Sequence, residues 1–391
     1  MKYDFDKVIE RRGTNSEKWD VSKNELPMWV ADMDFALPSE ILSDIKKRVD
    51  HGIFGYTDPD QNYRKALHDW LLKRHGLDIK DEWNTITPGI VYSIATAIRA
   101  VTGEGDSVLI QEPVYYPFKE TIELNKRKCV NNQLLYRDGH YEIDFDDFEK
   151  KIIENNVRLF LLCSPHNPVG RVWSPEELRR LGEICNRHRV IIFADEIHSD
   201  FVYKGHKHIS FLALGDEYSN NTILGTSPSK TFNMAGLQIA NVIIPNESIR
   251  QKFRHENDAN GYSQGATLGM IAAVACYTKG EKWLEELKEY LEGNISFIRD
   301  YLKENIPEVR LIEPEGTYLI WLDFSELTDK RSELKKLIVD RAGLWLDAGA
   351  IFGKETALFE RINIACPRAT IRKAFDQLNR AVKEYKDEIN K

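Results

Sequence analysis

One lysine, Lys230, lies among small and hydroxylated residues directly after an apolar run at 223–225. An ammonium group beside the end of a buried strand costs free energy unless its charge is neutralised or used. Condensation with a carbonyl group to give a Schiff base would remove the charge and make this lysine a covalent catalyst. A solvated lysine in a turn is the alternative, because most lysines are exposed.

Two further polar segments follow apolar runs that are typical of buried strands. Asn167, held between two prolines, is a fixed loop amide that could donate to an oxygen. Asp195 follows an apolar run, where a carboxylate either has a cationic partner or caps a helix. Glu196 beside it suggests a supporting ion pair. His198 either touches a bound ring or is a hydrogen-bonded core histidine.

Two other segments suit an anion and a planar group. A glycine turn at 86–89 opens a helix, and the free amides and dipole at such a helix start favour a phosphate. Tyr115 lies just past a strand, where its ring could cover the face of a planar ligand. Core packing is the alternative for Tyr115 or its neighbour Tyr116.

The elements that must position these residues alternate along the chain. Strands are predicted at 107–111, 157–163, 190–194, 222–225 and 239–244, and helices at 39–50, 61–75, 90–101, 117–126, 145–154 and 175–188. This alternation predicts an α/β fold with a doubly wound, mostly parallel sheet. Ligands of such sheets bind beyond the carboxyl ends of the strands, so the polar segments should lie together.

A second, smaller α+β domain is predicted after this sheet. Its elements are a long amphipathic helix at 281–305, a strand at 317–324, and helices at 331–342 and 368–388. We place the boundary inside the long helix, with a large domain at 41–285 and a small domain at 286–391. The N-terminal segment 1–40 is irregular and is expected to pack on the small domain, because it has no core of its own.

The composition excludes several classes of protein. The 391 residues are 42% hydrophobic and 30% charged, as in ordinary globular proteins. The net charge of −8 argues against nucleic-acid binding. The five cysteines are scattered without metal-ligand spacing, so we expect no metal site and a cytoplasmic location. No run approaches the roughly 18 apolar residues of a membrane span, and no membrane partner is expected.

Taken together, these features resemble the fold-type I pyridoxal-phosphate enzymes of the class I/II aminotransferase superfamily, and the resemblance covers nearly the whole chain. The motifs that carry it lie at 164–170, 194–198 and 227–230. Segments similar to the cystathionine β-lyase (C–S lyase) subgroup lie at 29–35, 54–56, 195–198 and 361–368. The resemblance implies pyridoxal 5′-phosphate as cofactor and a homodimer with shared active sites.

The resemblance also implies residue roles around the cofactor ring. Lys230 would hold the cofactor as a Schiff base and, when freed, remove the Cα proton of the substrate. Asp195 would pair with the pyridinium nitrogen. Asn167 would donate to the phenolic oxygen, Tyr115 would stack on the ring, and His198 would lie near it, where many transaminases carry a tyrosine.

For the phosphate, the resemblance implies the amides of Ile90 and Val91, the hydroxyl of Ser227, and Tyr56 of the partner subunit. Many transaminases place an arginine eight residues after the lysine, and this chain has Gln238 there. That difference fits the lyase subgroup but leaves the phosphate contacts open.

Arg361 would clamp the α-carboxylate of the substrate in a bidentate pair. A buried ion pair with a protein carboxylate is the alternative for Arg361. Arg368 is the competing candidate, although its place near the start of the last helix favours a structural role.

The implied reaction is α,β-elimination of L-cystathionine or a related cysteine S-conjugate to pyruvate, ammonia and a thiol. Transamination of an L-amino acid shares every step up to the carbanion and is the alternative. A non-catalytic regulatory protein on this fold is a distant alternative, which the intact set of Lys230, Asp195 and Arg361 disfavours.

Overall fold

In the computed structural model, residues 2–21 and 24–389 are described. Within these ranges the strands are β1 (Leu26–Pro27), β2 (Asn84–Thr87), β3 (Ser107–Ile110), β4 (Lys128–Asn131), β5 (Leu135–Arg137), β6 (His140–Glu142), β7 (Val157–Cys163), β8 (Ile191–Asp195), β9 (Thr222–Thr226), β10 (Ala240–Ile243), β11 (Arg310–Ile312), β12 (Leu319–Asp323), β13 (Leu344–Trp345), β14 (Asp347–Ala348) and β15 (Phe359–Asn363).

The α-helices of the same ranges are α1 (Glu17–Asp20), α2 (Ser39–His51), α3 (Gln61–His75), α4 (Ile90–Val101), α5 (Pro117–Leu124), α6 (Phe145–Asn155), α7 (Pro175–Arg187), α8 (Asp216–Ser219), α9 (Pro228–Thr231), α10 (Glu247–Ala259), α11 (Thr267–Lys279), α12 (Glu281–Asn305), α13 (Arg331–Lys335) and α14 (Arg368–Ile389). None of them is long and apolar enough to cross a membrane.

Local sequence accounts for where the helices begin and end. At the start of α7, the Ser174 hydroxyl accepts from the Glu177 amide and the Glu177 carboxylate accepts from the Ser174 amide, a capping box followed by Pro175. Helix α3 starts after Asp60, whose carboxylate accepts from the Tyr63 amide. It ends at Gly76, which has a φ of 64° that glycine adopts without strain.

The main sheet has seven strands in the order β2-β10-β9-β8-β7-β3-β4. Strands β9, β8, β7, β3 and β4 are parallel, whereas β10 is antiparallel to both of its neighbours. Alternate residues of β7 enter two separate apolar cores, with Leu159 and Leu161 in one and Phe160 and Leu162 in the other. The sheet is therefore buried on both faces, which confirms the predicted α/β class.

A second, antiparallel sheet follows in the order β11-β12-β15-β14. The N-terminal β1 pairs in parallel with β13, which places Leu26 opposite Leu344. Helix α12 is continuous across the predicted boundary at 285/286. The division of the chain into the ranges 1–40, 41–285 and 286–391 stays a prediction.

Candidate active site

Beyond the carboxyl ends of β7, β8 and β9 lies a cavity of about 380 Å³. It brings together residues that are far apart in the chain, as expected for a parallel sheet. Seven of the predicted site residues line it: Lys230, Asp195, Asn167, Tyr115, His198, Ile90 and Val91. The other three, Ser227, Tyr56 and Arg361, do not.

Lys230 projects from the single turn α9, directly after β9. Its Nζ donates to the Ala31 carbonyl at 2.8 Å, which ties the turn to the N-terminal segment. Burial lowers the pKa of Lys230 to about 8, although Asp32 and Asp195 oppose the shift. A substantial fraction of this amine is therefore neutral near physiological pH and able to act as a nucleophile or base.

Asp195, the last residue of β8, is 5% exposed. Its carboxylate accepts a 3.1 Å hydrogen bond from the Ile197 amide, and no cation within residues 2–21 and 24–389 lies within 4 Å of it. Burial raises the pKa of Asp195 to about 7. A cationic partner on the cavity side would offset this desolvation cost.

Arg361 lies on β15, behind Asn167, and is 2% exposed. Its Nη1 donates to Asn167 Oδ1 at 3.0 Å, and its Nη2 donates to the Trp29 carbonyl and to Asp347 Oδ2. Arg361 therefore forms the buried ion pair with a protein carboxylate that the sequence left open as an alternative, and Asp347 is its partner. Nε of Arg361 has no partner in the part of the chain that the structure describes.

Asn167 is buried, and the bond from Arg361 fixes the direction of its side-chain amide. With Oδ1 held by the guanidinium, Nδ2 is the atom left to bond elsewhere. Nδ2 donates to no group of the described residues, so it remains available to an oxygen acceptor in the cavity.

Tyr115 and His198 supply rings to the cavity wall. Burial raises the pKa of Tyr115, so its hydroxyl stays protonated. Burial lowers the pKa of His198 to about 3, with the charges of Lys230 and Arg361 adding to the effect. His198 packs edge-to-face on Tyr318 at 5.7 Å, and its Nδ1 is buried without a partner among the described residues.

The start of α4 forms another part of the wall. The first helical hydrogen bond runs from the Ser93 amide to the Gly89 carbonyl, so the amides of Ile90 and Val91 have no partner in residues 2–21 and 24–389. Ser229 and Gln238 line the same cavity. These neutral donors and the helix dipole favour an anion here.

The hydroxyl of Ser227, predicted to contact the phosphate, is engaged with the backbone, and its contact with a phosphate stays a prediction. The hydroxyl of Ser227 donates to the Ile239 carbonyl at 2.6 Å and accepts from the Ser229 amide at 3.0 Å. Ser227 is also buried and off the cavity wall, because its side chain caps α9. Ser229, two residues further on, is the hydroxyl that faces the cavity.

Tyr56 is 95% exposed in the loop between α2 and α3. Its neighbours Ile53 and Phe54 are exposed as well, at 64% and 53%. Within one chain this loop therefore presents three large apolar side chains to solvent, and none of them reaches the cavity. Contact between Tyr56 and a neighbouring subunit stays a prediction.

Sequence reasoning missed three groups of the site. The Ala31 carbonyl that accepts from Lys230 is a backbone atom, and no side-chain pattern could indicate it. Asp347 had no signal, because β14 has two residues and its pairing with β15 is long-range. Ser229 could have been found, since it stands beside Lys230 in the same motif.

The cavity fits pyridoxal 5′-phosphate, the group implied by the resemblance. Asp195 offers an unpaired carboxylate, Asn167 an unused amide donor, and Tyr115 an aromatic face. The start of α4 offers free backbone amides for a phosphate, and Lys230 offers an amine with a lowered pKa. In the cofactor, the carboxylate would pair with the cationic ring nitrogen, the amide donor with the phenolate, and the aromatic face with the planar ring. The backbone amides would bind the phosphate, and the amine would react with the carbonyl.

Comparison with known proteins agrees with this geometry. Residues 24–378 match the family model of aminotransferase class I and II. The chain is 42% identical to cystathionine beta-lyase PatB of Bacillus subtilis, over 97% of this chain and 99% of that protein. It is 32% identical to protein MalY of Escherichia coli, with the same two coverages.

Solved structures give the same result. Cystalysin from Treponema denticola, which contains pyridoxal 5′-phosphate, superposes with a TM-score of 0.96 at 38% identity, over 98% of this chain and all of that one. The pyridoxal-phosphate-bound C–S lyase from Staphylococcus hominis superposes with a TM-score of 0.92 at 34% identity, over 98% of each chain.

Proposed function

The chain belongs to the class I and II aminotransferase family. From its similarity to the C–S lyases within that family, we propose that it is a pyridoxal-phosphate-dependent C–S lyase. The substrate would be L-cystathionine or a related cysteine S-conjugate, which reacts with water to give pyruvate, ammonia and a thiol. Full-length similarity to a cystathionine beta-lyase and to C–S lyase structures supports the choice of reaction.

One observation carries this proposal: Lys230 and Asp195 face a single cavity, each with a shifted pKa. Burial holds the amine of Lys230 partly neutral and raises the pKa of Asp195, because each side chain has lost its hydration and has no ion-pair partner among the described residues. Pairs of titratable groups perturbed in one cleft are typical of catalytic sites.

Each residue around the cofactor ring has a separate chemical role. Bound pyridoxal phosphate supplies an electron sink that makes the Cα proton acidic and lets the β carbon–sulfur bond break. Lys230 Nζ has a pKa of about 8, so a large fraction of it is neutral and able to accept that proton near this pH. Asp195 keeps a cationic ring nitrogen in place, and Nδ2 of Asn167 donates to the ring oxygen.

Other groups of the site bind the two anions, which are the phosphate of the cofactor and the α-carboxylate of the substrate. The amides of Ile90 and Val91 bind the phosphate, and Ser229, which lines the cavity there, adds a hydroxyl to the predicted set. Arg361 binds the substrate carboxylate, to which its Nε would donate, an atom that is buried and has no partner among the described residues. His198, neutral because of burial, packs beside the ring without adding charge.

A homodimer with shared sites is the second part of the proposal. In the described chain, the exposed aromatics of the loop at 52–57 are out of contact with the cavity. Exposed apolar groups of this size favour contact with another protein surface. A second copy of the chain would bring the partner subunit's Tyr56 to the phosphate.

The direct test is turnover of L-cystathionine as the sole substrate of the purified holoenzyme. Pyruvate and homocysteine should be released without an added keto acid. Lys230→Ala, which removes the base, should release neither. Strict dependence on a keto acid, with no thiol formed, would assign the protein to the aminotransferases of its family instead.

A further inference from the structure

A buried carboxylate, Asp200, holds the residue that follows Lys230 in the chain. Asp200 is 6% exposed, and its Oδ2 accepts a 2.8 Å hydrogen bond from the hydroxyl of Thr231, which is 1% exposed. Within residues 2–21 and 24–389, Asp200 is the only hydrogen-bond partner of this hydroxyl. One hydrogen bond therefore connects Asp200 with the turn that carries Lys230.

We propose that Asp200 is a positioning residue, which fixes the amine of Lys230 by anchoring Thr231. The inference rests on the proposed function, in which Lys230 is the amine that captures the cofactor and takes the substrate proton. It adds to that reaction a residue that acts through another one.

The turn that carries Lys230 is too short to hold its own position. Helix α9 has four residues, Pro228–Thr231, and isolated helices of that length are not stable in water. Contacts at its two ends must therefore fix it. At its start, the cap residue Ser227 donates to the Ile239 carbonyl at 2.6 Å. At its end, the hydroxyl of the last residue of the turn donates to Asp200.

Helix α3 in turn fixes Asp200. Nε of Arg74 donates to Asp200 Oδ1 at 2.8 Å, and Nε2 of His75 lies 3.2 Å from the same oxygen. Nε1 of Trp70 donates to Oδ2 at 3.3 Å. Burial acts to raise the pKa of Asp200, but its contacts with His75 and Arg74 hold that pKa well below the usual range. Asp200 therefore accepts as an anion, and hydrogen bonds to an anion are stronger than those between neutral groups.

The same group of buried side chains reaches the neighbour of Asp195. The ring of His75 packs edge-to-face on that of His208, with 5.5 Å between their centroids. Nε2 of His208 lies 3.1 Å from Glu196 Oε2, and Glu196 directly follows Asp195. These contacts connect the residue after Asp195 with the residue after Lys230, so the two groups that face the cavity share one buried support.

A shift of the turn would move the amine of Lys230 relative to the carbon atoms that it must reach. Misplacement of a reacting group by about 1 Å can lower a rate by about a hundredfold. Loss of the bond from Thr231 should therefore lower kcat, whereas binding of the substrate carboxylate by Arg361 should be preserved. A role in stability alone would lower the Tm and leave the kcat of the folded enzyme intact.

The test compares Thr231→Val, which removes the hydroxyl but keeps the shape of the side chain, with Thr231→Ser, which keeps the hydroxyl. For the holoenzyme with L-cystathionine, Thr231→Val should lower kcat by about tenfold to a hundredfold and change KM by less than about twofold. Thr231→Ser should keep kcat within about threefold of wild type. A loss that appears in KM alone would overturn the proposal.

Thr222→Val is the matched control. The buried hydroxyl of Thr222, at the start of β9, donates to the Tyr218 carbonyl at 2.7 Å and is not linked to the turn of Lys230. Its loss should leave kcat unchanged. No loss of kcat in Thr231→Val, or an equal loss in Thr222→Val, would contradict the role of Asp200.

Asp200→Asn identifies the partner of Thr231. It should lower kcat as Thr231→Val does, and the double variant should lose no more than Asp200→Asn alone, because both changes break the same bond. Additive losses would show that the two residues act separately and would overturn the proposal. If Asp200→Asn does not fold, the Thr231 and Thr222 variants decide.

Capture of pyridoxal phosphate by the apoprotein is a readout that needs no turnover. The rate constant for the appearance of visible absorbance should fall by about tenfold in Thr231→Val and stay at the wild-type value in Thr222→Val. An unchanged capture rate would contradict the role of Asp200 and leave the lyase function intact. If capture slows as expected while no cysteine S-conjugate releases pyruvate from the wild-type holoenzyme, the lyase function fails and the role of Asp200 stands.

Discussion

At the scale of single residues, the site depends on charges held in a buried cavity. Asp195 has a pKa of about 7 because burial disfavours its anion, against about 3.9 for an unfolded chain. The folded state thus binds more protons between these values. In the absence of cofactor, Asp195 should therefore destabilise the fold increasingly as the pH rises from about 4 to 7.

Asp195→Asn should accordingly stabilise the cofactor-free protein at pH 8 by about 1–4 kcal/mol relative to wild type and change little at pH 4. Thermal unfolding of the apoprotein across this range measures the effect. Asp329→Asn, at an exposed acid, is the control and should show no such trend. The same variant should bind pyridoxal phosphate more weakly. A stability difference independent of pH would contradict the account of Asp195.

Arg361→Lys tests the carboxylate clamp. Lysine keeps the charge but loses the planar fork, so kcat/KM should fall by about tenfold to a thousandfold, or about 1.5–4 kcal/mol. The visible absorbance of the cofactor should not change. The matched control is Arg368→Lys, because Arg368 donates to Asn294 Oδ1 at 2.6 Å, whereas Arg361 donates to the cavity residue Asn167. A comparable loss of kcat/KM in Arg368→Lys would contradict the assignment of the carboxylate clamp to Arg361.

The sequence predicted those site residues whose chemical role requires one particular side chain. Lys230, Asp195 and Asn167 each follow an apolar strand and were predicted correctly to lie together. The role of Ser227 stays a prediction, because a hydroxyl next to a helix start can cap the helix or face a ligand, and sequence does not distinguish the two. Asp347 was missed because cross-strand pairing is a long-range property.

At the scale of elements, the start of α4 determines how an anion is held. Its first amides have no partner among the described residues, and the cavity wall there carries Ser229 and Gln238, with Gln238 at the position where many transaminases have an arginine. Much of the phosphate affinity should therefore depend on backbone N–H groups rather than on a side-chain cation.

Ile90→Pro tests this dependence. Proline is tolerated in the first turn of a helix, and the extended Gly89 before it is compatible with proline, so α4 should still form. One N–H is lost, and the dissociation constant of pyridoxal phosphate should rise by about tenfold. Ile90→Ala removes similar apolar contacts but keeps the N–H, so it is the matched control. Equal weakening by both variants would show that packing, not the amide, binds the cofactor.

Most strands and helices were predictable because their apolar spacing is local. The predicted helices at 61–75, 90–101 and 281–305 match α3, α4 and α12 residue for residue. Strands β2 and β4 were missed, because both are polar enough to resemble loops: Asn84–Thr87 and Lys128–Asn131 lie at the two edges of the sheet. Their pairing partners, not their own composition, make them strands.

At the scale of the whole molecule, the exposed loop at 52–57 can contribute to an active site only in a dimer, where the loop of one subunit would reach the cavity of the other. Mixing Lys230→Ala with an inactive Tyr56→Ala variant should restore activity in about a quarter of the sites, because each mixed dimer regains one intact site. Each variant mixed with itself is the control. Absence of restoration in dimers shown to have exchanged subunits would contradict shared sites, as would an active monomer in light scattering.

The class of reaction is decided by the fate of the substrate once Lys230 has taken its proton. The direct measurement follows homocysteine, pyruvate and newly formed amino acid in one reaction containing L-cystathionine and excess 2-oxoglutarate. A C–S lyase should release pyruvate and homocysteine in equal amounts and form no glutamate. Glutamate formed in step with loss of cystathionine, without release of homocysteine, would contradict the central claim and identify an aminotransferase.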